Sequence, residues 1–376
     1  MRSLFLAVYL VGGLVAFGSQ AVPDQHIPAT QPTVVGGGEE KPEKVSKSSL
    51  VLLYDQIPTQ SARKRALESG ASPYLTIYQG VDPRAKFGTI NSNSVVRAIE
   101  GQPLNSLPRF GLLDFESPYA EVLQSGCSDP RWAQTIATMV STIQLVRAKF
   151  PNTLWSYYGV PFVPFWIDGT DWASASAEQR KAALDKIYQA NAPLVKELDW
   201  INCSIYPVYD PPLFNPKDPN FVRVQGRAWR RATVSLSHIL ANGKPVIPMV
   251  SPYWQPNGVA RPGFLVPRDQ FIEDQVAVAV DAGATGIALW TGIESFIDLA
   301  VRGEPAGSER DDGFSSKTWR VAFTEECLSK IEPLNWSDPS VRAVLQAKTS
   351  AQICDSISWI REWESQNLQS KQSVTK

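Results

Sequence analysis

The fold predicted by the sequence is α/β: a distorted (β/α)7-8, TIM-like barrel with a C-terminal helical cap. Three observations predict it. Seven short apolar runs alternate with helical stretches between residues 49 and 300. The runs are nearly continuous in apolar residues, as strands buried on both faces of a parallel sheet are. No GxGxxG follows the first run, and no GxxxxGK[ST] occurs anywhere, which weakens the doubly wound, nucleotide-binding alternative. A chain of 376 residues accommodates one such barrel with extensions.

In chain order the runs are Leu50–Tyr54, Tyr74–Tyr78, Phe110–Glu116, Leu154–Tyr158, Ile201–Tyr206, Val246–Val250 and Gly286–Trp290. The helices between them carry start and stop signals. Asp129-Pro130 supplies an N-cap with Pro at N1, followed by the helical face Trp132, Ile136, Val140 and Ile143 and by a stop at Phe150-Pro151. Ser176 with Gln179 reads as a capping box for a helix reaching Leu198. A helix is predicted from Gly226 to Ala241, stopped by Asn242-Gly243, and another from Arg268 to Ala282, stopped by Gly283. Asp338-Pro339 starts a further helix, and a last one is predicted over Ile353–Glu364.

Outside the barrel the sequence predicts processing and extension. Arg2, the apolar run Leu4–Phe17 and the small residues Ser19 and Ala21 form an export signal cleaved after Ala21. The run is shorter than the roughly 20 residues needed to span a bilayer. The alternative is an uncleaved N-terminal anchor. Residues 22–48, rich in Pro, Gly and Lys, read as a flexible leader. The expected organisation is therefore signal 1–21, leader 22–48, barrel 49–300 and a C-terminal helical extension 301–376. The expected location is secreted, periplasmic or extracellular, with no membrane span in the mature chain.

Composition removes several function classes. Lys+Arg is 36 against Asp+Glu 37, so no basic excess exists to cover a phosphate backbone, and no nucleic-acid partner is expected. There are two histidines, His26 in the leader and His238 in a helix, which leaves little for a triad or a His-rich zinc site. Four cysteines in an exported chain permit disulfides. Cys327–Cys354 is the expected pair, and Cys127 and Cys203 either pair or stay as buried thiols. No CxxC occurs, so a structural zinc is not expected.

A (β/α) barrel builds its active site from the C-terminal ends of its strands. Asp114 and Glu116 stand at that end of the third run. Residues i and i+2 share a face, about 6.5 Å apart along the strand. Two carboxylates so close do not ionise independently, and the one with the raised pKa serves as a general acid near neutral pH. Binding of loop amides is the plainer alternative. Aromatic residues cluster at neighbouring strand ends: Trp155, Tyr157 and Tyr158 on the fourth, Tyr206 on the fifth, Tyr253 and Trp254 after the sixth, and Trp290 on the last. Each either stacks on a sugar ring or packs the core. Asp55 ends the first strand and is a supporting carboxylate. Asp168, Asp171, Asp210 and Glu294 lie on loops of the same face, where they contact sugar hydroxyls or cap the loops. A carboxylate pair ringed by aromatics suggests a glycoside hydrolase.

The same residues carry a family resemblance. Phe110-Gly-Leu-Leu-Asp114-Phe-Glu116 resembles the Asp-Trp-Glu strand of the hyaluronidase family of glycoside hydrolases. Asn152-Thr-Leu-Trp155-Ser-Tyr157-Tyr158-Gly-Val-Pro161 resembles that family's Trp-Gly-Tyr-Tyr-x-x-Pro strand, and Ser204-Ile-Tyr206 its Ser-Val/Ile-Tyr strand. Arg223 to Leu236 resembles the following helix, and Lys244–Pro248 and Ala282–Trp290 resemble the last two strands. The resemblance runs in order from residue 50 to residue 300. It departs at Ser117-Pro118-Tyr119 and in the cysteine spacing.

The resemblance implies cleavage of β-linked N-acetylhexosamine bonds with retention, the substrate's acetamido group acting as nucleophile. Glu116 would be the acid and then the base, Asp114 would orient the acetamido group, and Tyr206 would hydrogen-bond near its carbonyl. Trp290 would wall the sugar pocket, with Tyr157 or Tyr158 assisting. No cofactor or metal is implied, and the partner is a polysaccharide or glycosaminoglycan. Arg63, Arg65, Arg84 and Lys86 either line the mouth for a polyanion or are solvated surface charges. Two alternatives stand: a barrel glycosidase of another substrate class, with Glu294 or Asp210 as second carboxylate, and a carbohydrate-binding barrel without turnover.

Overall fold

A computed structural model describes residues 50–55, 57–103, 107–207, 218–253, 266–290 and 339–373. The expected export signal, the leader, Asp210, Trp254, Glu294 and Cys327 lie outside these residues. Six parallel strands form one sheet: β1 (Val51–Tyr54), β2 (Ala71–Tyr78), β3 (Phe110–Asp114), β4 (Leu154–Tyr157), β5 (Met249–Val250) and β6 (Gly286–Leu289). Their order is β4-β3-β2-β1-β6-β5.

The fifth predicted strand is not regular. Residues 201–206 join β5 and the residues before it through two isolated bridges, Ile201 to Val246 and Ser204 to Met249. Asn202 Nδ2 donates to Ile247 O at 3.0 Å, the carbonyl that Cys203 N would take in an unbroken parallel ladder. The same segment reaches β4 at its other side, where Asp199 N donates to Trp155 O and Trp155 N to Asp199 Oδ2, each at 2.9 Å. The two edge strands are thus linked through residues 199–206, and the sheet curls into a TIM-like barrel.

The outer layer comprises α1 (Gln60–Glu68), α2 (Ser92–Glu100), α3 (Tyr119–Ser125), α4 (Trp132–Lys149), α5 (Ala177–Val195) and α6 (Pro219–Ala241). After them come α7 (Arg268–Phe271), a π-helical turn (Ile272–Ala277), α8 (Val278–Asp281) and α9 (Pro339–Ser373). The capping box at Ser176 and Gln179 is present. Asn242 stops α6 in the left-handed region at φ 47°. α4 starts at Trp132 rather than beside Asp129, because the Asp129 carboxylate holds Arg131 N at 2.9 Å and its guanidinium.

Two helix boundaries differ further. α6 begins at Pro219, with the Asp218 carboxylate accepting from Phe221 N at 3.0 Å, and Gly226 lies inside the helix. A Cβ on Gly226 would stand 2.9 Å from Arg230 Nη1, so the glycine clears the path of a guanidinium rather than marking a boundary. The single helix expected over 268–282 contains the π turn, which buries Asp274, Gln275 and Val276 in succession. Asp274 there takes Arg223 Nε at 2.9 Å and also Arg227, and Gln275 holds Ser251 N and O at 3.1 and 3.0 Å.

Two C-terminal helices were expected; one continuous helix, α9, spans both. It packs Ile353, Ile357 and Ile360 into the outer core. Its Arg361 donates to the carbonyls of Leu50, Ser69 and Gly70, and Glu364 accepts from Leu50 N at 2.6 Å, which fixes the start of β1. The expected disulfides are not present among the described residues: Cys127 is an exposed free thiol, Cys203 a buried one, and Cys354 Sγ donates to Ala62 O at 3.3 Å. No described helix is long and apolar enough to cross a membrane.

Strand parity splits the core in two. The barrel interior holds Leu53, Tyr74, Phe110, Leu112, Tyr158, Trp200, Tyr206, Ile247, Met249 and Ala288. The layer between sheet and helices holds Leu52, Ile77, Leu113, Phe115, Trp155, Tyr157, Cys203, Ile205 and Ile287, among others. This division decides which strand-end residues face the mouth.

Candidate active site

Asp114 is the last residue of β3, opposite Tyr78 of β2. Phe110 and Leu112 face the interior, so Asp114 and Glu116 follow on the same side. Phe115, between them, points the other way and is fully buried, with ring centroids 6.2 Å from both Tyr119 and Tyr157. That anchor leaves the carboxylates no freedom to swap faces.

Burial pushes the Asp114 carboxyl up to about 7, partly offset by a hydrogen bond from Glu116. Glu116 is held well above the carboxylate range by burial, by the Asp114 charge, by their mutual hydrogen bond and by the charge of Glu121. The pair therefore keeps a proton near neutrality, and the push is stronger on Glu116. Asp114 Oδ1 is buried and has no hydrogen-bond partner among the described residues. An acceptor left in this state is set to take a donor from a bound molecule.

A residue that the sequence reading missed fixes the acid. Gln79, in the turn following β2, accepts from Glu116 N at 2.9 Å and donates from Nε2 to Ser117 O at 2.6 Å. The carboxamide clamps the peptide that carries Glu116. Position just past a strand end is the only sequence signal for it. Tyr78 was also missed, although it shares the inward parity of Tyr74. Its hydroxyl is bonded to the Trp290 side chain and is pushed up by burial and by the charges of Asp55, Asp114 and Glu116.

Three expected aromatics form one row inside the barrel. Tyr206 stacks on Trp290 at 5.1 Å and on Tyr158 at 6.1 Å, with interplanar angles of 27° and 29°. Tyr158 OH bonds Ser204 Oγ at 3.1 Å, and Tyr206 OH meets Met249 Sδ. The backbone beneath the row is held by Arg230, whose Nε donates to Ile205 O at 2.9 Å. Its burial pushes the guanidinium down to about 10. Asp55 lies at the same mouth, where its charge acts on Tyr74, Tyr78 and Tyr206.

The other expected residues are placed elsewhere. Trp155 and Tyr157 face the helices: Trp155 Nε1 donates to Phe150 O, and Tyr157 OH donates to Met139 O at 3.0 Å. They are core residues, because an odd step along β4 reverses the face. Gly111 makes room for Trp155, since a Cβ there would lie 2.4 Å from its ring. Tyr253 is fully buried, and its hydroxyl donates to Gln352 Oε1 of α9 at 2.8 Å. It too is structural. Asp171 caps Ser174 N at 2.7 Å, and Asp168 sits in the tight turn between Ile167 and Thr170 at φ 48°. Arg63 and Arg65 are exposed on α1, and Arg84 and Lys86 are exposed on the loop following β2. No described cluster of His, Cys, Asp or Glu is arranged to hold a metal ion.

No protein-family model matches the chain, and no curated protein matches it by sequence. Among solved structures it is similar to bee venom hyaluronidase, at TM-score 0.43 and 16% identity over 74% of this chain and 97% of that one. The same enzyme in complex with a hyaluronic acid tetramer gives TM-score 0.43 and 16% identity over 65% and 92% of the two chains. A GH18 chitinase from Pseudoalteromonas aurantia gives TM-score 0.36 and 13% identity over 68% and 77%. With TM-scores this low these are likenesses only, and the reading of the site rests on the chain's own geometry.

Proposed function

We propose that the chain is an exported glycoside hydrolase that cleaves β-linked N-acetylhexosamine bonds in a polysaccharide with retention. The observation that carries this reading is the Asp114–Glu116 pair, which shares one proton on the inward face at the C-terminal end of β3. Protonated Glu116 gives its proton to the leaving glycosidic oxygen as the acetamido oxygen of the substrate bonds to the anomeric carbon. Asp114, through its unpartnered Oδ1, accepts from the acetamido N–H and balances the positive charge of the cyclic intermediate. Water then attacks the anomeric carbon, Glu116 takes its proton, and the ring reopens to the acetamide. The row Tyr158–Tyr206–Trp290 offers the sugar an aromatic wall.

The test is reducing-end release from N-acetylated polysaccharides, hyaluronan and chondroitin included, by the wild-type protein and Glu116→Gln. Wild-type turnover that falls by about a hundredfold or more in the variant supports the reading. Equal turnover in both removes Glu116 from the mechanism. A second reading, a carbohydrate-binding barrel without turnover, is favoured by saturable binding to a polymer that the wild-type protein never cleaves.

A further inference from the structure

Asp114 is surrounded by phenol hydroxyls, and among the described residues none of them bonds its Oδ1. Its charge acts on Tyr74 and Tyr78 of β2, on Tyr158 just past β4 and on Tyr206. Asp55 and Glu116 are the other carboxylates that act on these tyrosines. Tyr78 meets the Trp290 side chain, and Tyr158 OH meets Ser204 Oγ at 3.1 Å. Tyr74 and Tyr206 both turn to Met249 of β5. Their hydroxyls donate to its Sδ at 3.8 and 2.6 Å.

This pairing runs against the ordinary preference of a hydroxyl. A thioether sulfur is a weak acceptor, and an ionised carboxylate is a strong one. The backbone holds the weaker acceptor in place. Met249 N donates to Cys203 O at 2.8 Å, and Met249 O accepts from Ile205 N at 3.0 Å. Tyr74, Tyr206 and Met249 are buried in one cluster inside the barrel. Stacking between Tyr158 and Trp290 limits the Tyr206 ring, and its place on β2 limits Tyr74. Two donors from different elements thus converge on one sulfur.

We infer that Met249 is a positioning residue of the site: its thioether keeps the Tyr74 and Tyr206 hydroxyls away from Asp114, so that Oδ1 stays open for a donor on the bound molecule. The sulfur acts as a decoy acceptor. It satisfies two buried phenols that would otherwise turn to the carboxylate, and it never touches the substrate. The inference deepens the glycoside hydrolase reading and rests on it for the identity of that donor, the acetamido N–H.

The test starts from a Glu116→Gln parent, in which Asp114 titrates without its partner, and follows the Asp114 carboxyl carbon by NMR as pH is varied. Adding Met249→Leu keeps the volume and removes the acceptor, a swap that costs little stability. The two hydroxyls then turn to the carboxylate, and a hydrogen bond to the ionised form favours that form. The Asp114 midpoint is expected to fall by about one pH unit. Calorimetric affinity for N-acetylated oligosaccharides from hyaluronan, chondroitin and chitin is expected to fall about tenfold. Adding Tyr74→Phe and Tyr206→Phe to Met249→Leu returns the midpoint to the parent value. A packing role alone would move the melting temperature and leave the midpoint where it was, so an unmoved midpoint in a folded Met249→Leu protein overturns the inference and leaves the hydrolase reading standing. The two Phe substitutions with Met249 intact test it without touching the sulfur. They should leave the midpoint unmoved, and a raised midpoint would show hydroxyls already bonded to Asp114 and overturn the inference. A lowered midpoint in Met249→Leu, with no oligosaccharide bound by the parent, keeps the decoy role and removes the hydrolase reading.

Discussion

Tyr157 and Tyr158 are adjacent and chemically identical, and the sheet sends them to opposite fates. Tyr157 faces the helices, where its hydroxyl bonds the Met139 carbonyl. Tyr158 faces the barrel interior, stacks on Tyr206 and bonds Ser204. The same division holds at the end of β3, where Phe115 is locked in the outer core while Asp114 and Glu116 face inward. The outer face here packs Phe115 and Tyr157 among fully buried side chains; the inner face at the mouth keeps a carboxylate pair whose burial disfavours ionisation. A strand end can thus hold rigid packing and strained chemistry one residue apart, because parity separates them.

The largest expected effects separate the faces outright. Glu116→Gln should reduce kcat by about 10²- to 10⁴-fold with little change in melting temperature. Trp155→Ala, on the outer face, should cost about 3–5 kcal/mol in denaturant unfolding through the cavity it leaves. A Trp155→Ala protein of wild-type stability would break the comparison.

Asp114→Asn sharpens it through pH. Removing the neighbouring charge lowers the Glu116 pKa, so the basic limb of the kcat/KM profile should move to lower pH. Stability should respond in the opposite sense. Burial pushes the folded Asp114 carboxyl up from the ordinary aspartate range to about 7, so the folded state binds the extra proton. Folding stability then falls as pH rises from about 4 to 7. Asp114→Asn removes that loss, so its melting temperature should exceed the wild-type value at pH 8 and match it at pH 4.

Smaller effects test the neighbours. Gln79→Ala should lower kcat about tenfold, with a displaced basic limb, because the Glu116 peptide loses its clamp. A changed melting temperature with an unmoved pH profile would reduce Gln79 to a structural role. Smallest of all, Tyr157→Phe should cost about 1 kcal/mol of stability. Tyr158→Phe should cost activity, severalfold in kcat, and the reverse assignment would show that the register has been misread.

The sequence made some of this legible. The alternation of apolar runs predicted the parallel barrel, and the spacing of Asp114 and Glu116 predicted a shared face. The Ser176 capping box and the Asn242 stop were local signals and appear as local structure. Parity on β4 was not legible, because a strand buried on both faces is apolar at every step, so Trp155 and Tyr157 read as site residues. Tyr253 misled for the same reason: its partner, Gln352, is remote in the chain. The interruption at Asn202, the passage of Arg230 over Gly226 and the Gln79 clamp likewise depend on partners that only the fold brings together.

The central claim is that the β3 carboxylates keep one proton between them at neutral pH, on Glu116. Carbon-13 NMR titration of carboxyl-labelled protein measures this directly, without a substrate. The account predicts that the pair still holds a proton when the pH passes 7, with the Glu116 resonance ionising last and moving to lower pH in Asp114→Asn. Two carboxylates that both ionise below about pH 5 would contradict it, as free carboxyl groups do in water.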